Sequence, residues 1–130
     1  MSNKFFKRII ARSAEDLQFI SAFCSKSKIK ISNIKYLKKN KIFLIYLERN
    51  DEEKQNQKIN SVLKFEYIDS SKSKNINQNN TEIVIELLGI KLFKVKNHFE
   101  ITLLFSNNAI INLSAEIIEV TLEDLKQIYD

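Results

Sequence analysis

The side chains most able to do chemistry in this sequence are a single cysteine, Cys24, and a single histidine, His98. An imidazole that accepts the proton of a thiol can create the nucleophile of an acyl transfer. Cys24, however, falls at helical spacing with Leu17 and Ile20, on an apolar face where a free cysteine is ordinarily a small core residue. No orienting group or oxyanion site is recognisable near His98, so we predict no catalytic residue and no enzymatic activity.

Acidic residues offer a second kind of chemistry, as metal ligands or as general acids and bases. Asp51, Glu52 and Glu53 are consecutive in a predicted loop, where neighbouring side chains diverge instead of converging on one cation. Glu82 and Glu86 lie on one face of a predicted strand with lysines close behind, which favours cross-strand ion pairs. Cysteine and histidine do not occur at zinc-ligand spacing. We therefore expect no bound metal.

Glu116 interrupts an otherwise alternating strand close to a change of phase at Ile117 and Ile118. A carboxylate buried there would need a lysine, an arginine or a backbone partner. We interpret Glu116 as a candidate buried structural carboxylate at a β-bulge, with a ligand contact as the lesser alternative. Gly89 is the only glycine, which excludes a glycine-rich phosphate loop and with it P-loop and Rossmann chemistry. We expect no cofactor.

The basic and aromatic stretch IKYLKKNKIFLIYLERN, residues 34–50, is the remaining candidate site. Nucleic-acid binders combine lysines that neutralise phosphates with aromatic rings that are free to stack on bases. The weak candidates for contact with an anion or a nucleic acid are Lys35, Lys38, Lys39 and Lys41. Tyr36 and Phe43 lie within apolar strands, so we expect both rings in the core and the turn lysines at a solvated hairpin tip.

The 130 residues predict a single domain, 1–130, that is long enough to bury a core. With 44% hydrophobic and 28% charged residues the chain is not of the disordered class. Lys7 and Arg8 interrupt the apolar run near the N-terminus, which makes it too short for a signal peptide, and no segment approaches a transmembrane length. We expect a cytoplasmic protein that does not bind membranes.

The formal charge of +5 is unevenly distributed along the chain. Residues 1–49 hold 12 basic and 3 acidic residues, whereas residues 50–130 hold 9 basic and 13 acidic ones. Such asymmetry is a weak indication of an anionic partner. A bias toward lysine, isoleucine and asparagine codons would also raise the charge, and folding could mix the two halves.

Apolar periodicity predicts a strand at 5–11, followed by a helix that Ser13 caps and that ends near Ser25. The period then becomes two, with a bend at Ser32 and Asn33 and a turn at 38–41. The later strands are predicted at 42–47, around 61–69, and at 81–95, 99–105 and 109–120. The phase of the strand at 81–95 shifts near Leu87 and Leu88, where Gly89 fits a bend, and asparagine in the turn at 106–108 can supply a positive φ. Residues 70–80 are predicted to be a low-complexity loop, and Thr121 to cap a short C-terminal helix.

This order predicts an α+β fold with a strongly bent, mostly antiparallel sheet or partly closed barrel of about seven strands. One helix follows the first strand and a second helix ends the chain. By element count the closest common architecture is pleckstrin-homology-like, and a two-layer α+β sandwich is the runner-up.

Three blocks of the chain resemble an uncharacterised, largely alphaproteobacterial family, domain of unknown function 2948. The blocks are ARSAEDLQFISAF (11–23), IKYLKKNKIFLIYLER (34–49) and NAIINLSAEIIEVTLEDL (108–125). The chain lacks the tryptophan and the proline-containing tail of typical members, and its segment 70–80 is less rich in arginine. The family has no established activity, so the resemblance implies a fold and a bacterial cytosol but no functional residue.

Together these observations predict a non-catalytic cytoplasmic binding or adaptor domain that recognises a protein partner or itself. An RNA- or ribosome-associated module that uses the basic N-terminal half is the first alternative. An enzyme with an unrecognised site, which would require a deep pocket with converging polar groups, is the second.

Overall fold

A computed structural model describes residues 7–51 and 56–125 of the chain. These residues form one α-helix and ten β-strands. The helix, α1, spans Ala14–Cys24. The strands are β1 (Arg8–Ala11), β2 (Ser27–Lys30), β3 (Ile34–Leu37), β4 (Ile42–Asn50), β5 (Lys58–Phe65), β6 (Ile68–Lys74), β7 (Val84–Val95), β8 (His98–Phe105), β9 (Ile110–Ala115) and β10 (Val120–Asp124).

Helix α1 begins as its sequence predicts. Ser13 has an extended backbone, and its hydroxyl accepts a hydrogen bond of 3.2 Å from the backbone N–H of Asp16. This contact satisfies one of the N–H groups that the first helical turn leaves unpaired. Leu17, Ile20 and Cys24 form the buried face of the helix, which covers the inner side of the sheet.

All strand pairs are antiparallel, and nine of the ten described strands follow one path in the order β1-β10-β5-β4-β2-β7-β8-β9-β6. The tenth, β3, pairs with β4 beside β2. β2 and β3 share one edge of β4 because the 3-10 turn Ile31–Asn33 separates them. The predicted bend at Ser32 and Asn33 is therefore confirmed.

The core lies on the inner face of this curved sheet. Burial alternates along β4, where Phe43, Ile45 and Leu47 point inward and the residues between them do not. β7 keeps its inner face apolar by a register shift between Leu87 and Gly89, which is the phase change that the sequence predicts there. Each fully buried aliphatic or aromatic side chain of this kind contributes about 1.5–3 kcal/mol.

The predicted architecture of seven strands and a C-terminal helix is wrong. The sequence predicts residues 120–124 as the end of a strand and the start of a helix. In the structure they form β10, which is hydrogen-bonded to β1 on one side and to β5 on the other. The predicted helix cap, Thr121, lies inside this strand. Alternating burial of Val120, Leu122 and Asp124 suits a strand, although Thr121 is also buried. Residues 126–130, the rest of the predicted helix, lie outside the described residues.

The predicted loop at 70–80 is also partly wrong, because Ile68–Lys74 form β6 and pair with β9. Its sequence of serines and lysines lacks the apolar alternation of a core strand. β6 ends the sheet path, and strands at a sheet edge commonly carry polar and lysine side chains. The backbone hydrogen bonds to β9 stabilise this strand, although its side-chain pattern does not predict a strand.

Candidate functional site

Lys35, Lys38 and Lys39 are exposed, as a surface role requires. Lys38 and Lys39 lie in the 3-10 turn between β3 and β4. Lys35 points outward from β3, and its Nζ lies 5.9 Å from the centroid of the Tyr46 ring. The tip is therefore a solvated turn, and Lys35 is directed along the outer face of the sheet.

Lys41 and Glu116 are brought together although they are far apart in sequence. Lys41 Nζ lies 3.0 Å from Asp69 Oδ1 and 3.8 Å from Glu116 Oε1. The hydrogen bond and charge of Asp69, assisted by Glu116, raise the pKa of Lys41 above its usual value. The Glu116 side chain is 64% exposed, so the interpretation of Glu116 as a buried carboxylate is wrong. Its position just after β9 places it in a surface connection.

Tyr36 and Phe43 are not free to stack on bases. Phe43 is 2% exposed, and its ring centroid lies 6.1 Å from that of Tyr36. The Tyr36 hydroxyl donates a 3.0 Å hydrogen bond to the backbone carbonyl of Ile68 on β6. The prediction that both rings belong to the core is confirmed for Phe43, whereas Tyr36 is only partly buried and packs against the core.

This hydrogen bond spans a gap in the sheet that we call the β3–β6 slot. β3 pairs only with β4, and β6 pairs only with β9, within the described ranges 7–51 and 56–125. No backbone hydrogen bond joins β3 itself to β6 in that part of the chain. The Ile68 N–H at the start of β6, however, donates to the Lys41 carbonyl at 2.9 Å, so the slot is closed at this end and its free β6 edge lies beyond Ile68. A cavity of about 200 Å³ lies in the slot, lined by Ile31, Ile34, Tyr36, Phe43, Ser71, Ser73, Ile76, Gln78 and Ile111.

A polar network covers the outer face of β8 and β9. The Glu100 carboxylate accepts hydrogen bonds from Ser114 Oγ at 2.5 Å and Asn112 Nδ2 at 2.7 Å, and lies 2.9 Å from His98 Nε2. Thr102 Oγ1 donates to the side-chain oxygen of Asn112 at 2.8 Å. Partial burial favours a higher pKa for Glu100, but these partners together hold its pKa below the usual value.

The order of contacts in this network does not suit nucleophilic catalysis. In a catalytic triad the imidazole bonds the nucleophile and the carboxylate orients the imidazole. Here the carboxylate of Glu100 lies between Ser114 and His98, so the imidazole has no direct contact with the hydroxyl. Sequence reasoning missed this network, although alternate polar residues on two consecutive strands are its signal.

A buried ion pair ties β4 to β10. Arg49 Nη2 lies 2.8 Å from Asp124 Oδ2, and the two side chains are only 1% and 2% exposed. Ser61 Oγ donates to Asp124 Oδ1 at 2.7 Å, and the backbone N–H of Lys7 donates to Oδ2 at 2.9 Å. Burial would raise the pKa of Asp124, but hydrogen bonds from Arg49, Ser61 and Lys7 hold it below its usual value.

Cys24 lies close enough to this ion pair for its pKa to respond. Burial raises the pKa of the Cys24 thiol to about 12, and the positive charge of Arg49 offsets this only in part. The thiol is therefore protonated near neutral pH, which makes it a poor nucleophile. The prediction that Cys24 is a core residue is confirmed.

A cavity of about 450 Å³ lies where β2 separates from β4. Its charged side chains are Lys28, Lys30 and Glu48, and Lys30 Nζ already lies 3.3 Å from Glu82 Oε2. Mixed charges of this kind do not converge on one ligand group. Within the described residues no group of three or more histidine, cysteine, aspartate or glutamate side chains could hold a metal ion. No helix described here is both long and apolar enough to cross a membrane.

The model of a family described as "Protein of unknown function (DUF2948)" matches residues 7–130. No curated protein and no solved structure matches the chain.

Proposed function

We propose that this chain, which belongs to the DUF2948 family of proteins of unknown function, is a non-catalytic cytoplasmic domain that binds a partner protein through the β3–β6 slot. The observation that carries the proposal is the pair of facing strand edges, on β3 and β6, that have no strand partner in the described part of the chain. Unpaired N–H and C=O groups on a strand edge can hydrogen-bond an added extended segment.

The slot has the second property that such a site needs, which is an apolar inner wall next to the free edges. Ile34 and Tyr36 of β3 are only partly buried, and both line the cavity together with Ile111. Partly exposed apolar side chains gain free energy when a partner covers them. The 200 Å³ cavity is smaller than the roughly 300–1,000 Å³ of typical small-molecule sites. It is therefore better suited to side chains of a bound segment than to a metabolite.

The described residues with nucleophilic or acid–base chemistry favour a binding role over catalysis. Cys24 is buried with a raised pKa, and His98 bonds a carboxylate that already has hydroxyl and amide partners. Neither residue lines the β3–β6 slot.

Site-specific photo-crosslinking in the native cell tests the proposal. A benzophenone side chain at position 73 would lie in the slot, whereas the same group at the matched control position 94 lies on β7, and both positions are exposed. We expect a protein adduct of defined mass from position 73 and none from position 94. Equal adducts from both positions, or none from position 73, would contradict the proposal.

A further inference from the structure

We infer that the segment bound in the β3–β6 slot is an extended strand of a different protein in which apolar and acidic residues alternate. This inference rests on the proposed function and specifies the chemistry of the partner. The first step is geometric, because side chains along a strand alternate between the two faces of a sheet. A strand added between β3 and β6 would turn every second side chain toward the cavity and the others toward the outer face.

The cavity, which the inward side chains of the segment would enter, is mainly apolar. The cavity is lined by isoleucines and aromatic rings from β3, β4, β9, the 3-10 turn before β3 and the segment after β6, together with the polar side chains of Ser71, Ser73 and Gln78. Ser71 and Ser73 are the hydroxyl-bearing side chains on the β6 side. A medium-sized aliphatic side chain would bury apolar surface there, whereas a charged one would lose its hydration without a charged partner.

The outer face of the sheet, which the other side chains of the segment would meet, is basic at the slot. Lys35 on β3 points outward because it pairs with Leu44 on the outer face of β4. Lys72 and Lys74 point outward from β6, because they pair with Asn112 and Ile110 on the outer face of β9. All three lysines are exposed, and none of them forms an ion pair with a described residue.

The acidic residue closest to these lysines along β6 does not neutralise them. Asp69 pairs instead with Lys41 at 3.0 Å. Lys72 and Lys74 therefore present two positive charges at the rim of the slot, whereas the Lys35 ammonium lies toward Tyr46 on β4. Complementary charges accelerate association and select the partner, so the outward side chains of the segment are acidic.

The same lysines disfavour a second copy of this chain as the occupant. If the β6 edge of one molecule paired with that of another, Lys72 and Lys74 of both molecules would be brought close together. Lysines on edge strands are a common protection against such self-pairing. The occupant is therefore a different protein, in contrast to the self-association that the sequence leaves open.

Synthetic peptides test this inference directly. The probe is a fluorescent heptapeptide that alternates glutamate with isoleucine. A peptide of the same composition with the glutamates grouped at one end is the pattern control, and one that alternates lysine with isoleucine is the charge control. We expect the alternating acidic peptide to bind at least about tenfold more tightly than either control, measured by fluorescence anisotropy.

Two further comparisons separate strand addition from charge attraction alone. Methylation of alternate backbone nitrogens of the peptide should abolish binding, because it removes the N–H groups that pair with a strand edge. The double variant Lys72→Glu/Lys74→Glu should lose at least about tenfold in affinity. The matched control Lys91→Glu/Lys94→Glu reverses two exposed lysines on β7 and should bind as the parent does.

Equal binding of the grouped and alternating peptides, or of the methylated and parent peptides, would overturn the inference. It would also be overturned if polyuridylate bound more tightly than the peptide with the same dependence on Lys72 and Lys74, since the site would then hold nucleic acid. A protein adduct from position 73 together with failure of the peptide would leave the proposed function standing and reject only the alternation. Loss of that adduct would reject the proposed function itself.

Discussion

Arg49 and Asp124 form the most deeply buried charged contact among the described residues. The guanidinium approaches the carboxylate through Nε at 3.1 Å as well as through Nη2, and this two-pronged geometry is the strongest form of such a pair. A buried ion pair contributes little over a well-packed apolar pair, but removal of one partner is costly. The contact therefore specifies how β4, β5 and β10 align.

We expect Asp124→Ala to lower the free energy of unfolding by about 3–5 kcal/mol, because the variant removes the carboxylate that bonds the buried Arg49. Glu123→Ala is the matched control on the same strand. Glu123 belongs to an exposed pair with Arg8 at 3.9 Å and should cost less than about 1 kcal/mol. Urea denaturation followed by circular dichroism measures both. Equal losses would contradict a special role for Asp124.

The lowered pKa values of Asp124 and Glu100 predict how stability depends on pH. In the unfolded chain these carboxyls titrate near pH 4, so the unfolded state binds more protons there than the folded state does. Their stabilisation is fully present above about pH 5 and is lost as pH falls through the lower folded pKa values. The urea concentration at the midpoint of unfolding should therefore decrease as the pH is lowered below about 5. A midpoint that is unchanged from neutral pH down to about pH 3 would contradict this.

A variant identifies the carboxyl that is responsible for this dependence. Asp124→Asn should flatten the acid limb of the stability curve, because the amide does not titrate. Glu100→Gln should have a smaller effect, since Glu100 is partly exposed and screened by solvent. An acid limb that is as steep in Asp124→Asn as in the parent would assign the effect to other carboxyls.

At the scale of elements, β10 is the decisive strand. It is hydrogen-bonded on both sides, so Glu123 pairs with Arg8 of β1 and with Val62 of β5. In the helix that the sequence suggests, Glu123 would lie in the first turn after Thr121, where the backbone N–H is not needed. A central strand and a helix start therefore predict different effects of a proline at position 123.

We expect Glu123→Pro to destabilise the protein by about 1–3 kcal/mol, because proline lacks the N–H and leaves a carbonyl of the neighbouring strand without its donor. The loss would be larger if the proline ring distorts the strand. Glu123→Ala again serves as the control, because it keeps the N–H. Thermal unfolding followed by circular dichroism compares the two variants. A proline variant as stable as the alanine variant would support a helix start instead of a central strand.

At the scale of the whole molecule, folding mixes the basic and acidic parts of the chain. Ion pairs join residues 1–49 to residues 50–130 across the sheet. They are Arg8–Glu123, Arg12–Glu119, Lys30–Glu82, Lys41–Asp69 and Arg49–Asp124. Folding therefore neutralises part of the charge asymmetry of the sequence, which weakens the argument for a nucleic-acid partner.

We accordingly expect single-stranded RNA to bind only as a non-specific polyanion, with a dissociation constant no tighter than about 1 μM at physiological salt. Fluorescence anisotropy with a labelled oligouridylate over a series of salt concentrations measures this. The RNA-binding alternative would be supported instead by tighter binding that is lost in Lys38→Glu/Lys39→Glu and kept in Lys91→Glu/Lys94→Glu.

Local signals in the sequence were sufficient for the helix start at Ser13, the turn at 38–41, the phase change near Gly89 and the core positions of Cys24 and Phe43. Each depends on neighbours within a few residues or on a simple period, so the chain itself contains the information. The positive φ of Asn107 in the turn after β8 belongs to the same class, since asparagine tolerates that conformation.

Only the tertiary structure decided that residues 120–124 form a strand, that Ser70 to Lys74 continue β6, and that Glu116 is exposed. These outcomes depend on partners that lie far away in sequence: β1 and β5 for the first, β9 for the second, and Lys41 for the third. The β3–β6 slot is of the same kind. A free strand edge is defined by the strands that do not pair with it, and a sequence read residue by residue contains no local signal for that.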